Sequence, residues 1–199
     1  MKIIFATRNE GKLREVKHIF SDSDVEILSL NDFTDNIDVE EDGKSFEENA
    51  LKKAEEIYSH FKLPVISDDS GLVVEQLNGA PGIYSARYSG DNATDEKNNK
   101  KLLEKLKNFP LPHKAKFVCA AVFWNAQNRL IVTGEFKGQI ISEPRGINGF
   151  GYDPLFLPDG LDKTSAEISP DLKNKISHRA KAFTKLKELV VENKFSKSE

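Results

Sequence analysis

Two adjacent aspartates, Asp68 and Asp69, stand inside an otherwise apolar stretch, VISDDSGLVV at residues 65–74. Ionised carboxylates avoid a protein interior unless opposite charge compensates for their desolvation. Carboxylate oxygens suit Mg²⁺, which typically binds one or two of them together with substrate phosphates. Neighbouring residues of a regular strand point to opposite faces, so only one aspartate would share a side with a metal. Ser70 and Gly71, which follow, permit a sharp turn and offer further hydrogen-bond donors.

A second acidic group, Glu40, Glu41 and Asp42, precedes a helix signal at Ser45. Together with the aspartate pair it could form a metal site, or it could be a solvated acidic loop. The net charge of −3 excludes a general attraction to nucleic acid or to anionic membranes. A phosphate ligand would therefore need a local basic pocket or a divalent metal.

The segment ATRNEGK, residues 6–12, lies where a predicted strand ends and a predicted helix begins. Backbone N–H groups at a helix start favour an anion. Thr7 and Asn9 add neutral donors, Gly11 allows close approach, and Lys12 adds positive charge. The spacing is not that of a P-loop. The segment predicts a phosphate site, with an ordinary turn capped by Asn9 as the alternative.

The loop RGINGFGYDP, residues 145–154, combines glycines with two aromatic residues and Asp153. An aromatic ring can stack on a nucleic-acid base, and a carboxylate can accept hydrogen bonds from ring N–H groups. The alternative is a glycine-rich loop whose aromatics cover the core. Further along, His178 and Arg179 could contact a base carbonyl and a phosphate. Otherwise the histidine is structural and the arginine pairs with acidic side chains.

The elements that must position these residues alternate between strand and helix patterns. Strands are predicted at residues 2–6, 25–30, 65–67, 72–77, 116–124 and 130–141, the last two forming a hairpin, and helices at 12–20, after Ser45, at 97–106 and at 178–191. Prominent hairpins favour a mixed sheet with packed helices over a purely parallel one. A single domain, residues 1–199, is expected, with a disordered tail from about residue 195.

Composition excludes several other classes of protein. The single cysteine, Cys119, allows no intrachain disulfide framework and no multi-cysteine zinc site, and it is expected to be a buried thiol. Neither a GxSxG nor an HExxH motif is present. The first residues offer too short an apolar run for a secretory signal, and nothing approaches a membrane span. A cytoplasmic protein is expected.

In order along the chain, the blocks TRNEGK, SDDSGL, GAPGIYSARYSG, GFGYDPLF and ISHR resemble the inosine triphosphate pyrophosphatase family, the Ham1/RdgB-like non-canonical purine NTP pyrophosphatases. The resemblance implies an α/β fold in which a mixed β-sheet with flanking helices forms two lobes around a deep central cleft, and a homodimer. It also implies Mg²⁺-dependent attack of water on the α-phosphorus of ITP, dITP or XTP, which yields the monophosphate and pyrophosphate and cleanses the nucleotide pool. Mn²⁺ is an alternative metal.

The resemblance assigns roles residue by residue. Substrate would be bound by Thr7, Arg8, Asn9, Glu10, Gly11, Lys12, Lys53, Ser70, Phe150, Gly151, Tyr152, Asp153, Lys173, His178 and Arg179. Glu40 and Asp69 would be the metal ligands, and Asp69 would also be the catalytic proton acceptor. At Arg8 the chain departs from the family, in which a small residue such as glycine is common.

Two alternatives differ in class. One is a Maf-type pyrophosphatase acting on modified pyrimidine nucleotides, which the GFGYDP and SHR blocks argue against. The other is a non-catalytic nucleotide-binding module, which would have no need of carboxylates beside a phosphate site. Release of pyrophosphate from ITP with Mg²⁺, and its loss with EDTA, would separate an enzyme from such a module.

Overall fold

A computed structural model describes residues 1–35 and 37–195. Six strands in this part of the chain form one sheet: β1 (Lys2–Phe5), β2 (Glu26–Ser29), β3 (Val65–Val74), β4 (His113–Trp124), β5 (Arg129–Ile140) and β6 (Phe156–Pro158). Their order across the sheet is β2-β1-β3-β4-β5-β6. Strand β1 pairs in parallel with β2 and β3, whereas β5 and β6 are antiparallel, so the sheet is mixed.

The described helices are α1 (Glu10–Ile19), α2 (Phe46–Phe61), α3 (Asp95–Leu106), α4 (Pro170–Ile176) and α5 (His178–Phe195). The first four begin after a residue whose side chain accepts a backbone N–H of the first turn: Asn9, Ser45, Thr94 and Ser169. Such caps satisfy N–H groups that have no partner within the helix, which is why the helices begin at these points.

The chain divides into two compact units. The first contains Met1–Asp69, Cys119–Gly134 and the chain from Arg179 onward, and the second contains Ser70–Val118 and Glu135–His178. Strands β3, β4 and β5 each contribute residues to both units.

The first unit has two apolar clusters, because alternate residues of β1 point in opposite directions. Ile3 and Phe5 pack in one cluster with residues of α1 and α5, and the ring of Phe5 lies 5.4 Å from that of Phe183. Ile4 lies in the other cluster, with Ala54 and further residues of α2. Strand β1 is therefore buried on both faces.

The second unit has its own core, in which α3 packs on strand residues. Leu102 and Leu106 of the helix lie with Leu72, Phe117 and Phe136. Asp95 and Asn99 of the same helix contact Gly151, which lies after β5.

The sequence-based fold class is confirmed: the architecture is α/β, a mixed sheet with flanking helices. The separate strands predicted at residues 65–67 and 72–77 are wrong, because β3 is one ten-residue strand that runs through Ser70 and Gly71 and ends at Val74. Strand β6 and helix α4 were not predicted. The single domain and the central cleft stay predictions, and the tail expected from about residue 195 lies, after that residue, outside the described part of the chain. None of the described helices is long and apolar enough to cross a membrane.

Candidate active site

Asp68 is buried in the first unit and bound by two cations. Its Oδ1 lies 3.1 Å from Nζ of Lys12, and its Oδ2 lies 3.3 Å from Nε and 3.2 Å from Nη2 of Arg179. Burial alone would raise the pKa of this carboxyl, but Lys12, Arg179 and Lys53 outweigh it and hold the pKa well below its usual range. Asp68 is therefore ionised, and side chains of the protein compensate its charge.

Arg179 is 1% exposed and its guanidinium is shared between two carboxylates. Besides Asp68, it donates from Nη1 to Oε2 of Glu15 at 2.6 Å. Burial lowers the pKa of Arg179, yet the two acids raise it above the ordinary value. The structure thus places Arg179, predicted to contact substrate, in an ion-pair network that joins α1, β3 and α5.

Asp69, 5% exposed, points to the opposite side of β3, as strand alternation predicts. Its Oδ2 accepts a hydrogen bond of 2.9 Å from Nδ2 of Asn49 on α2. Burial raises the pKa of Asp69, Asn49 and Lys53 lower it, and the neighbouring carboxylate of Glu41 raises it, so that the pKa lies above its ordinary value. The adjacent aspartates thus occupy electrostatically different environments.

Asn49 is a residue of this site that the sequence did not suggest. It is fully buried, and its Oδ1 accepts the backbone N–H of Gly43 at 2.8 Å. A Cβ at position 43 would lie 2.6 Å from this oxygen, so the position requires glycine. The sequence does contain one sign of this role: Asn49 is a polar residue on the buried face of α2, next to Ala50.

Lys53 pairs with Glu41 through a short contact between Nζ and Oε1. Burial lowers the pKa of Lys53, but the charges of Asp68, Glu41 and Asp69 outweigh burial and raise the pKa above its ordinary value. The side chain therefore remains an ammonium. Glu40 is exposed, and its charge acts on the half-buried Lys52. Of the two neighbouring glutamates, Glu41 is therefore the one whose charge reaches Asp69.

The carboxylates of Asp69 and Glu41 suit a hard divalent cation. A buried acid beside a second acid is less readily ionised, and a bound cation would relieve that repulsion. Among the described residues, no group of three or more His, Cys, Asp or Glu could hold a metal. Two carboxylates fit Mg²⁺ that binds together with phosphates, rather than a site made by protein alone.

The turn between β1 and α1 has the geometry of a capped helix start. Oδ1 of Asn9 accepts the N–H of Lys12 at 3.0 Å, and Oγ1 of Thr7 accepts the N–H of Asn9 at 3.2 Å. Arg8 donates to the carbonyls of Leu30 and Asp35, each at 3.3 Å. The cap proposed for Asn9 is confirmed, and the guanidinium of Arg8 contacts the segment after β2.

Glu10 and Gly11 form the first turn of α1, where N–H groups lack intrahelical acceptors. The carboxylate of Glu10 accepts from Nδ2 of Asn31 at 2.7 Å. The first turn of α1 and Lys12 therefore offer backbone donors and an ammonium within the first unit.

In the second unit, Asp153 organises the loop of residues 145–154, here called the aromatic loop. Its Oδ2 accepts the N–H of Phe150 at 2.9 Å and Nζ of Lys173 at 2.6 Å. The same ammonium lies 4.9 Å from the centre of the Phe150 ring. Gly149 has a φ of 77°, and a Cβ there would lie 2.1 Å from Oδ2 of Asp153. The loop is therefore built around a buried carboxylate.

Two further predicted residues of this unit, Tyr152 and His178, contact other parts of the protein. Tyr152 is 4% exposed, and its hydroxyl donates to the carbonyl of Ser85 at 2.8 Å. Burial raises the pKa of that phenol. The ring of His178 is stacked on Phe117, with centres 4.9 Å apart. Ser70 is partly buried.

A model of the Ham1 family matches residues 3–189. The chain belongs to the Ham1 family. This Ham1-family protein is 49% identical over 189 residues to the dITP/XTP pyrophosphatase of Geobacter sulfurreducens, with 94% of this chain and 95% of that protein covered. It is 48% identical to the dITP/XTP pyrophosphatase of Clostridium perfringens, with 94% and 96% covered.

Solved structures agree with the Ham1-family fold. A HAM1 protein from Coxiella burnetii superposes with a TM-score of 0.89 at 38% identity, covering 96% of this chain and 99% of that one. The Ham1 protein of Staphylococcus aureus gives a TM-score of 0.87 at 41% identity, covering 97% and 100%. The similarity thus extends over the whole architecture and is not confined to the short motifs.

Proposed function

We propose that this Ham1-family protein hydrolyses the non-canonical purine nucleotides ITP, dITP and XTP to the monophosphate and pyrophosphate. The observation that carries the proposal is the buried Asp69, held by Asn49 next to Glu41 and Lys53. A buried carboxylate beside a second acid and a lysine is typical of a catalytic site, and binding of phosphate alone does not require it. The names of the similar proteins support the same chemistry.

The first unit would supply the groups that bind the triphosphate. Thr7, the first turn of α1 and Lys12 offer hydroxyl, backbone and ammonium donors, and Lys53 adds a second cation. Because Lys12 also contacts Asp68, its ammonium is held in place before a phosphate binds. A group that is already positioned loses less freedom on binding.

Asp69 and Glu41 would hold Mg²⁺. When bound, the metal would neutralise charge on the phosphates and the pyrophosphate leaving group. Asp69 would orient the water that attacks the α-phosphorus, or remove its proton. The hydrogen bond from Asn49 holds the carboxylate in place for this role.

The second unit would recognise the base. Phe150 offers an aromatic face, and Lys173 lies beside that ring. Inosine and xanthosine carry a carbonyl at position 6, where adenosine carries an amino group, so donors such as His178 or backbone N–H groups would favour them. Each buried donor left unpaired by the amine costs about 1–3 kcal/mol, and two would give a large preference.

Pyrophosphate release tests the proposal directly. The purified protein is mixed with dITP, XTP, GTP or ATP and Mg²⁺, with EDTA as the control. We expect release from dITP and XTP, at least about 100-fold lower kcat/KM for ATP, and no release with EDTA. Equal values for ATP and dITP would contradict the base-recognition part, and binding without release would indicate the nucleotide-binding module.

Two further controls address the remaining expectations. A modified pyrimidine triphosphate tests the Maf-type alternative and should not be a substrate. The homodimer and the cytoplasmic location implied by the resemblance stay predictions, and the first can be measured by light scattering during size-exclusion chromatography.

A further inference from the structure

Two side chains of helix α3 are hydrogen-bonded to Gly151 of the aromatic loop. The N–H of Gly151 donates to Oδ2 of Asp95 at 2.7 Å, and its carbonyl accepts from Nδ2 of Asn99 at 3.0 Å. Asp95 and Asn99 are four residues apart, so they lie on the same face of the helix. The two side chains therefore hold both peptide groups that flank the Cα of Gly151.

These peptide groups determine where the neighbouring side chains point. The peptide bound by Asp95 joins Phe150 to Gly151, and the peptide bound by Asn99 joins Gly151 to Tyr152. Gly151 has a φ of 64°, a left-handed conformation that glycine adopts easily but from which it also departs easily. Without the two hydrogen bonds, a rotation at this glycine would turn the Phe150 ring.

The rest of the loop also holds Phe150, since the ammonium of Lys173 lies 4.9 Å from the centre of its ring. The N–H of Phe150 is bound by Asp153. A pocket of about 580 Å³ lies between α3 and the loop, lined among others by Asp95, Asn99 and Phe150. The two polar contacts at Gly151 therefore join the helix to the loop beside this pocket.

We propose that Asp95 and Asn99 form a Gly151 clamp, two positioning residues that set the base selectivity of the enzyme by fixing the orientation of Phe150. The proposal rests on the proposed function, in which Phe150 contacts the purine. The clamp acts on binding of the base and leaves the groups that bind phosphate and metal in the first unit unchanged. Its removal should therefore raise KM and reduce discrimination between purines, with little change in kcat.

The experiment compares Asp95→Ala and Asn99→Ala with Glu104→Ala, which changes an exposed acid elsewhere on α3. Each clamp variant should raise KM for dITP about three- to tenfold, as expected for loss of one hydrogen bond, with kcat within about twofold of wild type. Asp95→Asn retains an oxygen that can accept from Gly151 and should restore KM. Inhibition by inorganic tripolyphosphate, which has no base, should not change in any variant.

Kinetic constants of both clamp variants equal to those of Glu104→Ala would overturn the proposal, as would a fall in kcat alone. Hydrogen exchange at the Gly151 amide tests the clamp without substrate. Asp95→Ala should accelerate exchange about tenfold and Asp95→Asn less, and unchanged exchange would overturn the clamp. A wild-type protein that released no pyrophosphate would refute the proposed function instead, while the exchange result would still decide whether the clamp exists.

Discussion

Nδ2 of Asn49 donates to Oδ2 of Asp69 at 2.9 Å, while the carbonyl oxygen of the same amide accepts from the backbone of Gly43. One buried side chain on α2 therefore connects the proposed catalytic carboxylate with the segment that follows Glu41. Helix α2 thus holds both proposed metal ligands, Asp69 through Asn49 and Glu41 through Lys53.

Asp69→Asn should lower kcat roughly 100-fold or more, because an amide can neither accept the proton of water nor bind Mg²⁺ as a carboxylate does. The amide oxygen can still accept from Asn49, so the fold should be retained. Asp42→Asn, which changes an exposed carboxylate paired with Lys52, is the matched control. Near-normal turnover by Asp69→Asn at saturating Mg²⁺ would remove this residue from the mechanism.

Glu41→Gln should raise the Mg²⁺ concentration needed for half-maximal activity about tenfold or more, since a metal carboxylate is lost. Glu40→Gln is the matched control and should change it less than about twofold. A magnesium titration of both variants decides between the glutamate that the sequence suggested and the one whose charge reaches Asp69. If Glu40→Gln raised the required Mg²⁺ concentration more than Glu41→Gln did, Glu40 would be the ligand.

Arg179→Met should lower the free energy of unfolding by about 3–5 kcal/mol, because Glu15 and Asp68 both lose a buried partner. Lys185→Met, at an exposed position of the same helix, should change it by less than about 0.5 kcal/mol. Urea denaturation measures both. A variant as stable as wild type, but with a raised KM, would instead assign Arg179 to the substrate.

Tyr152→Phe and Phe150→Ala should separate the two aromatic residues of the loop. Removal of the Tyr152 hydroxyl loses its hydrogen bond to Ser85 and should cost about 1 kcal/mol of stability, with KM for dITP nearly unchanged. Removal of the Phe150 ring should raise KM about tenfold through lost stacking. Kinetics and thermal melts of both variants check this, and a large KM effect in Tyr152→Phe would place its hydroxyl against substrate.

Arg8→Gly should leave KM for dITP within about twofold, because the guanidinium already binds the carbonyls of Leu30 and Asp35. Lys12→Met serves as the comparison and should raise KM about tenfold or more, since it removes a cation from the proposed phosphate site. Steady-state kinetics of both variants are sufficient. An equal rise of KM in both variants would show that Arg8 also contacts phosphate.

Local patterns in the sequence were sufficient for several parts of the site. The caps at Asn9 and Ser45 depend on residues within one helical turn, and both are present. The opposite orientations of Asp68 and Asp69 follow from strand geometry alone. The break expected between strands at residues 65–67 and 72–77 is absent because β3 is paired within a sheet, and those long-range contacts override the turn preference of a serine–glycine pair.

The sequence by itself determined the α/β class, the two acidic segments, the capped turn before α1 and the aromatic loop, because each is encoded by neighbouring residues. Only the tertiary structure decided which partners these groups have. Arg179 meets Asp68 across 111 positions and Asn49 meets Asp69 across 20. Coulombic and hydrogen-bond energies depend on distances of a few ångströms in space, which separation along the chain does not reveal.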